Sequence, residues 1–543
     1  MSYLKKIEQL IPTLTIEEKV GQLFVLAFAG QDNEYALDLV KNMHVGGFYL
    51  TDDNANTLKE ANILSAQLQK QAALRACDAP LLLAVDQEGA WGILTKETDL
   101  GPGNLALGVA NDANLTANMY QIFAEQMQAI GYNTLLSPCA DVNSNPNNPI
   151  IGQRAFGEKP SHVAQHVAAA VQGINRTGNI ACAKHFPGHG DTATDSHRSL
   201  PEVTKNTSQL LSEDLPPFIA AINNDVGIIM TAHINYPEID AQYPATLSRK
   251  ILTELLKDEL GFTGLIITDS MNMWAMRKNY SPSEAAILAL KAGAHLIMLS
   301  EEHYENETTP YKQIQQETIN GVIEAVHSGE LSLAQIDQTL KHVLCFKYQK
   351  VNNKPSTNKS PVDTGNKVAK EAAQQAISVL KNNEGLWPLG QSEFYFTCAV
   401  NPASYENLVN SRGIGPNDAV PASQVFYQQL QQSNAKVTYL PYEEFSQVLA
   451  GNKTLDIERP LVILTEDYPL PGETFPQQEQ LQRIEQAQQL FTNKLMVLAL
   501  RSDYELKELS QKCAINTYVC TYSSRSVSAR ELAKRLLEEK YTF

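Results

Sequence analysis

The sequence predicts an α/β protein: a (β/α)8 TIM-like barrel followed by a smaller α/β sandwich domain. Three observations carry this expectation. Short apolar runs rich in β-branched residues alternate with long amphipathic stretches from residue 22 to residue 300. The runs number eight. Polar, chemically capable residues fall at their C-terminal ends. Continuous apolar strands separated by helices point to a parallel sheet buried on both faces. Eight such units suggest a barrel. A doubly wound open sheet is the alternative.

In chain order the strands are QLFVLAFAG (22–30), VGGFYL (45–50), PLLLAVDQE (80–88), TLLSPCADV (134–142), IACAKHFPG (180–188), VGIIMTAH (226–233), LIITDSM (265–271) and AHLIMLS (294–300). Helical patterns lie between most of them, NTLKEANILSAQLQKQAALRA and SPSEAAILALKAGA among them. Residues 1–350 are assigned to the barrel. Residues 351–366, VNNKPSTNKSPVDTGN, are polar and rich in Pro, Ser and Asn, as a linker is. Residues 367–543 are assigned to the second domain. It opens with AKEAAQQAISVLKNNEGLWPL, expected to be a helix running into a turn. The strand-like runs FYFTCAV, KVTYLPY, LVILTED, LMVLALR and TYVCTY follow, with helices between them.

The composition is globular, with 43% hydrophobic and 19% charged residues. A formal charge of -17 argues against nucleic-acid or anionic-membrane partners, which require a basic surface. Seven cysteines, an odd count with no CxxC pair, argue against a disulfide framework and fit a reducing compartment. The first residues lack a signal-peptide core, and no apolar run is long enough to span a bilayer. The expectation is a cytoplasmic protein, monomeric or homodimeric, whose second domain scaffolds or forms an interface.

A barrel carries its active site at the C-terminal ends of its strands. Asp86 and Glu88 follow the third strand, Asp141 the fourth, Lys184 and His185 end the fifth, His233 follows the sixth and Asp269 the seventh. Barrel packing calls for no charges there. The stretch KHFPGHGDTATDSH (184–197) is the densest cluster. Its first two histidines stand four apart, but Pro187 and Gly188 between them bar a helix, so the two-ligands-on-one-face logic of HExxH fails. No metal and no cofactor is assigned. Some of these histidines, His189 first, have the plainer role of bracing the loop.

The sharper alternative is acid–base catalysis. Asp195 stands two residues before His197. A carboxylate beside an imidazole fixes its tautomer and raises its pKa, making a proton donor near neutral pH. Gly188 and Gly190 are expected to let the loop swing this pair over the barrel mouth. The opposing group is expected from another strand end, and Asp269 in ITDSMNM is the candidate. The competing role for Asp269 is an N-cap of the next helix.

KHFPGHG followed by DSH resembles the signature of glycoside hydrolase family 3, in its two-domain β-N-acetylglucosaminidase branch. AVDQEG (84–89), LLSPCADVNSNPNNPIIGQRAFG (135–157), IMTAHINYP (229–237) and GFTGLIITDSMNM (261–273) agree, and the resemblance covers essentially the whole chain. It implies a retaining mechanism. Asp269 matches the family's nucleophile, His197 its acid/base and Asp195 the residue polarising it. Asp86, Arg154, Lys184 and His185 match residues holding the sugar of the −1 subsite. The implied partner is a small carbohydrate. One segment departs: after DQEG the branch continues with Gly and two arginines, where this chain has Ala90, Trp91 and Leu94. Contacts at the substrate mouth, and the preferred glycoside, are open on that account.

The resemblance implies hydrolysis of terminal β-linked N-acetylglucosamine, from muropeptide fragments or chitooligosaccharides. Phosphorolysis is an alternative, since a neutral histidine does not repel phosphate as a carboxylate does. A β-glucosidase is disfavoured by the DSH loop. A non-catalytic sugar-binding relative has the AWGILTK segment as its support.

Overall fold

The eight apolar runs form eight parallel strands in the computed structural model, which describes residues 3–89, 92, 94, 97–193, 200–300, 310–351, 362–400, 420–466 and 476–539. They are β1 (Phe24–Leu26), β2 (Gly47–Leu50), β3 (Leu82–Val85), β4 (Thr134–Leu135), β5 (Ile180–Phe186), β6 (Ile228–Thr231), β7 (Leu265–Ile267) and β8 (Ile297–Leu299). Each pairs in parallel with its chain neighbour, and β1 also pairs with β8. A parallel bridge between Ile267 and Leu296 joins the remaining edges, so the sheet is a barrel and not an open layer. Every strand residue is buried, which is why these runs are apolar without alternation.

The intervening helices bury one stripe each. Leu58–Ala72 is capped by Thr57, whose side chain accepts from the Glu60 amide, and it buries Ala61, Leu64, Leu68 and Ala72 at helical spacing. Pro282–Ala292 begins with a Ser281/Glu284 capping box and ends at Gly293, whose φ of 113° suits only glycine comfortably.

The chain divides into two compact units, one holding the barrel, the other taking in Leu100–Leu115 and the residues from Asp363 on. Most of the expected linker, 352–361, lies outside the described residues. The second unit holds a six-stranded sheet. Its strands are β9 (Ser378–Asn382), β10 (Phe394–Cys398), β11 (Val437–Tyr439), β12 (Leu461–Thr465), β13 (Leu495–Ala499) and β14 (Thr517–Cys520), in the order β11-β10-β12-β13-β14-β9. Phe396, Val462 and Leu498 pack with Phe426 and Leu532 in one apolar layer. Ile463, Val497 and Tyr518 pack with Phe445 and Ile484 in the other. That is an α/β sandwich. The helix-into-turn expectation is corrected: the helix ends at Ala376, and SVLKN forms strand β9, antiparallel to β14.

All seven cysteines are unpaired. No helix among the described residues is long and apolar enough to cross a membrane.

Candidate active site

The C-terminal ends of β3 and β5 build a buried charge network. Lys184, on β5, is 3% exposed. Its Nζ lies 2.5 Å from Asp86 Oδ1 and 3.1 Å from Glu88 Oε1. Burial works against its charge, but the two carboxylates overcome that and hold the ammonium firmly protonated. Glu88, wholly buried, takes two bonds from Arg154, Nε to Oε2 and Nη2 to Oε1, each at 3.1 Å. Burial would raise its pKa; the charges of Arg154 and Lys184 keep it below the ordinary carboxylate range. Asp86 is the member that faces outward, its side chain 22% exposed, with Tyr49 Oη donating to Oδ2 at 2.7 Å.

His185 follows Lys184 across a cis peptide. Its Nδ1 lies 2.8 Å from Asp141 Oδ2, and Arg154 Nη2 lies 3.4 Å from its Nε2. Arg154 can only donate and the Asp141 carboxylate can only accept, so the two partners orient the imidazole with Nδ1 toward Asp141 and Nε2 toward Arg154. Asp141 also accepts from the backbone N–H groups of His185 and His189. Despite its burial, its carboxyl is lowered by His185 and His189.

His189 is buried, with Nδ1 2.9 Å from Thr192 Oγ1, and burial first, then His185, push its pKa down to about 4. It is a neutral brace. The expected swing about Gly188 and Gly190 is corrected. A side chain at Gly188 would meet Asp214 Cβ at 2.8 Å, and one at Gly190 would meet the Val142 carbonyl at 1.7 Å. Tyr236 Oη donates to the Gly188 carbonyl, and Asn148 Nδ2 to that of His189. These glycines permit close packing, and residues 186–190 are all buried. Asp195 and His197 lie outside the described residues, as do Ala90 and Trp91. Leu94 is buried, with its amide donating to Asp52 Oδ1.

Asp269 follows β7 and accepts from the Ser270 amide at 2.7 Å. It is not a helix N-cap: Met273 occupies that position in the next helix, Trp274–Arg277. His233 Nε2 lies 3.0 Å from the Ser270 carbonyl and donates to it, while Nδ1 faces Thr246 Oγ1 at 2.9 Å. This fixes the backbone next to Asp269. The Cys182 thiol, on β5, is raised mainly by burial, and Lys184, Asp86 and Asp269 all act on it electrostatically.

Cys139 Sγ, Asp141 and His185 offer ligand atoms within 4.8 Å of one another, the combination a metal ion would use. Their chemistry argues for a hydrogen-bonded cluster. Burial and Asp141 keep the Cys139 thiol protonated, it donates to Asp141 at 3.1 Å, and the Arg154 cation stands beside His185. Glu88, Asp141 and Tyr49 belong to the site although no motif spacing links them to it; their position at strand ends was the signal for the first two.

Residues 15–346 match the N-terminal domain of glycosyl hydrolase family 3. This chain belongs to that family. It is 29% identical over 373 residues to beta-hexosaminidase A of Pseudoalteromonas piscicida, covering 65% of this chain and 62% of that protein's length. It is 34% identical over 263 residues to a beta-hexosaminidase of Nitrosomonas eutropha, covering 47% of this chain and 73% of the relative. A family 3 beta-N-acetylglucosaminidase from Paenibacillus sp. str. FPU-7 superposes with a TM-score of 0.82 at 29% identity, covering 96% of this chain and 97% of that one.

Proposed function

We propose that this family 3 glycoside hydrolase is a retaining β-N-acetylhexosaminidase, releasing terminal β-linked N-acetylglucosamine from muropeptide fragments or chitooligosaccharides. Membership of the family carries the hydrolase class. The relatives named for hexosaminidase activity, and a neighbour matching nearly end to end, support the sugar.

The observation that carries the site assignment is Lys184 held between an outward-facing Asp86 and a buried Glu88. Asp86 accepts from sugar hydroxyls, and Lys184, Arg154 and His185 frame the −1 subsite from one side. Asp269 attacks the anomeric carbon while His197 protonates the departing oxygen. The carbon–oxygen bond to the aglycone breaks, and the sugar becomes an ester of Asp269. Neutral His197 then takes a proton from water, which releases the sugar with its original anomeric configuration. An imidazole held by Asp195 thus replaces one of the two carboxylates usual in retaining enzymes. The chemistry requires no cofactor.

The test is the initial rate on an aryl β-N-acetylglucosaminide beside the matching aryl β-glucoside, with and without phosphate. Preference for the N-acetyl sugar in phosphate-free buffer is expected. Turnover that requires phosphate would assign a phosphorylase instead, and turnover confined to the glucoside would overturn the sugar assignment.

A further inference from the structure

Tyr49 and Asp86 come from neighbouring strands and share one face of the sheet. Tyr49, on β2, is in register with Ala84 on β3. Register partners in a parallel pair point to the same face, and so do residues two apart along one strand. Asp86 is two residues beyond Ala84, one step nearer the C-terminal ends of the strands. That step is about 7 Å. The tyrosine ring spans it, and its Oη donates to Asp86 Oδ2 at 2.7 Å.

Packing alone does not call for this hydroxyl. Tyr49 is 8% exposed, and Phe48 and Leu50 on either side of it are wholly buried. A phenylalanine would fill the same space; a phenol at such a place needs a partner. The partner is the open member of the charge network. The Asp86 side chain is 22% exposed, against 3% for Lys184 and none for Glu88. Lys184 Nζ holds the other oxygen, Oδ1, at 2.5 Å. One donor on each oxygen fixes the plane of the carboxylate. With Lys184 alone the group is held at one point and can turn about it. Each oxygen still has accepting capacity left, so the carboxylate can take hydroxyl protons, but from a fixed set of directions.

We infer that Tyr49 is a positioning residue that sets specificity in the −1 subsite: by locking the plane of the Asp86 carboxylate, it selects the hydroxyl geometry from which Asp86 accepts. The inference rests on the assignment of Asp86 to sugar hydroxyls.

The experiment compares wild type, Tyr49→Phe, Asp86→Asn and the Tyr49→Phe/Asp86→Asn double variant. The substrates are an aryl β-N-acetylglucosaminide and analogues each lacking one sugar hydroxyl. Asp86→Asn identifies the hydroxyl in question, since its penalty shrinks on the analogue without that group. Tyr49→Phe keeps the ring and is expected to raise KM roughly tenfold on the full sugar, with kcat near the wild-type value. Its penalty should shrink on that same analogue, persist on the others and vanish in the Asp86→Asn background. A Tyr49→Phe penalty equal on every sugar, or undiminished in that background, overturns the inference, because a merely structural role gives that pattern. Wild-type KM in Tyr49→Phe overturns it too. If Asp86→Asn does not fold or is too slow to assay, inhibition of wild type and Tyr49→Phe by N-acetylglucosamine and its deoxy analogues carries the same comparison. One analogue that binds both equally is then expected, and a uniform gap overturns the inference. An Asp86→Asn effect of the same size on every analogue overturns the assignment of Asp86 to a hydroxyl, and this inference with it.

Discussion

Glu88 and Arg154 form a two-pronged ion pair, both contacts at 3.1 Å, inside a wall where Glu88 has no exposed surface. Lys184 shares the same carboxylate. Removing one member of such a group strands the others in low dielectric. Glu88→Gln is expected to cost about 3–5 kcal/mol, read as a lower denaturant midpoint. Because Glu88's folded pKa is depressed, its contribution is present above the unfolded value of about 4.3 and is lost as pH falls through the folded one. The variant should therefore show a flatter loss of stability in acid than wild type. An unchanged midpoint would mean that the pair is neutral for the fold.

Gly190 is tested by a single methyl. The added Cβ would stand 1.7 Å from the Val142 carbonyl, a backbone atom that cannot swing aside. Gly190→Ala should displace the segment leading to Asp195 and His197 and lower kcat by roughly 10²-fold. Thermal melts should show a lower Tm. Wild-type kcat in the alanine variant would restore the idea of a hinge at this glycine.

Lys347 offers a pH test away from the site. It is wholly buried, with Nζ near Gln22 Oε1 at 3.1 Å and the Gly46 carbonyl at 2.9 Å, and burial first, then Arg75, push its pKa down to about 7. Its unfolded value is about 10.4. Between these two values the unfolded chain binds the extra proton, so stability rises with pH, by at most about 1.4 kcal/mol per pH unit. The contribution is complete above the unfolded value and is lost as pH falls through about 7. Lys347→Met should remove this slope in urea titrations between those limits. A slope that persists in the methionine variant would assign it to other groups.

His197→Ala should penalise substrates with poor leaving groups far more than activated aryl glycosides, which need less protonation. The difference expected is about 10²–10⁴-fold. Equal losses on both would remove His197 from the acid role.

Much of the fold was legible because both faces of the barrel sheet are buried, which forces runs such as LLAV and FVL to be apolar throughout. The fourth run was read too long. Only Thr134–Leu135 forms ladder; beyond it the chain keeps single bonds to β3 and β5, such as the Leu136 amide on the Val85 carbonyl, and one parallel bridge between Cys139 and Lys184. Strand β9 was hidden because it follows a helix with no punctuating residue and is half exposed, so neither pattern nor burial marks it. Asp86, Lys184, His185 and Asp269 could be picked out by their place at strand ends. The Glu88–Arg154 and Asp141–His185 pairs could not, since their partners stand 66 and 44 residues apart and no spacing predicts a contact at that range. Gly188 and Gly190 show a different limit: a glycine is identical in sequence whether it supplies freedom or permits close approach, and only the atoms around it decide.

The covalent role of Asp269 is the central claim, and trapping tests it most directly. A 5-fluoro-N-acetylglucosaminyl fluoride slows the second step more than the first, so the glycosyl-enzyme accumulates. Intact-mass measurement followed by peptide mapping should find one sugar per chain, attached to Asp269, and no adduct in Asp269→Ala. An adduct on another carboxylate, or active enzyme that turns over the reagent without ever holding it, would contradict the account.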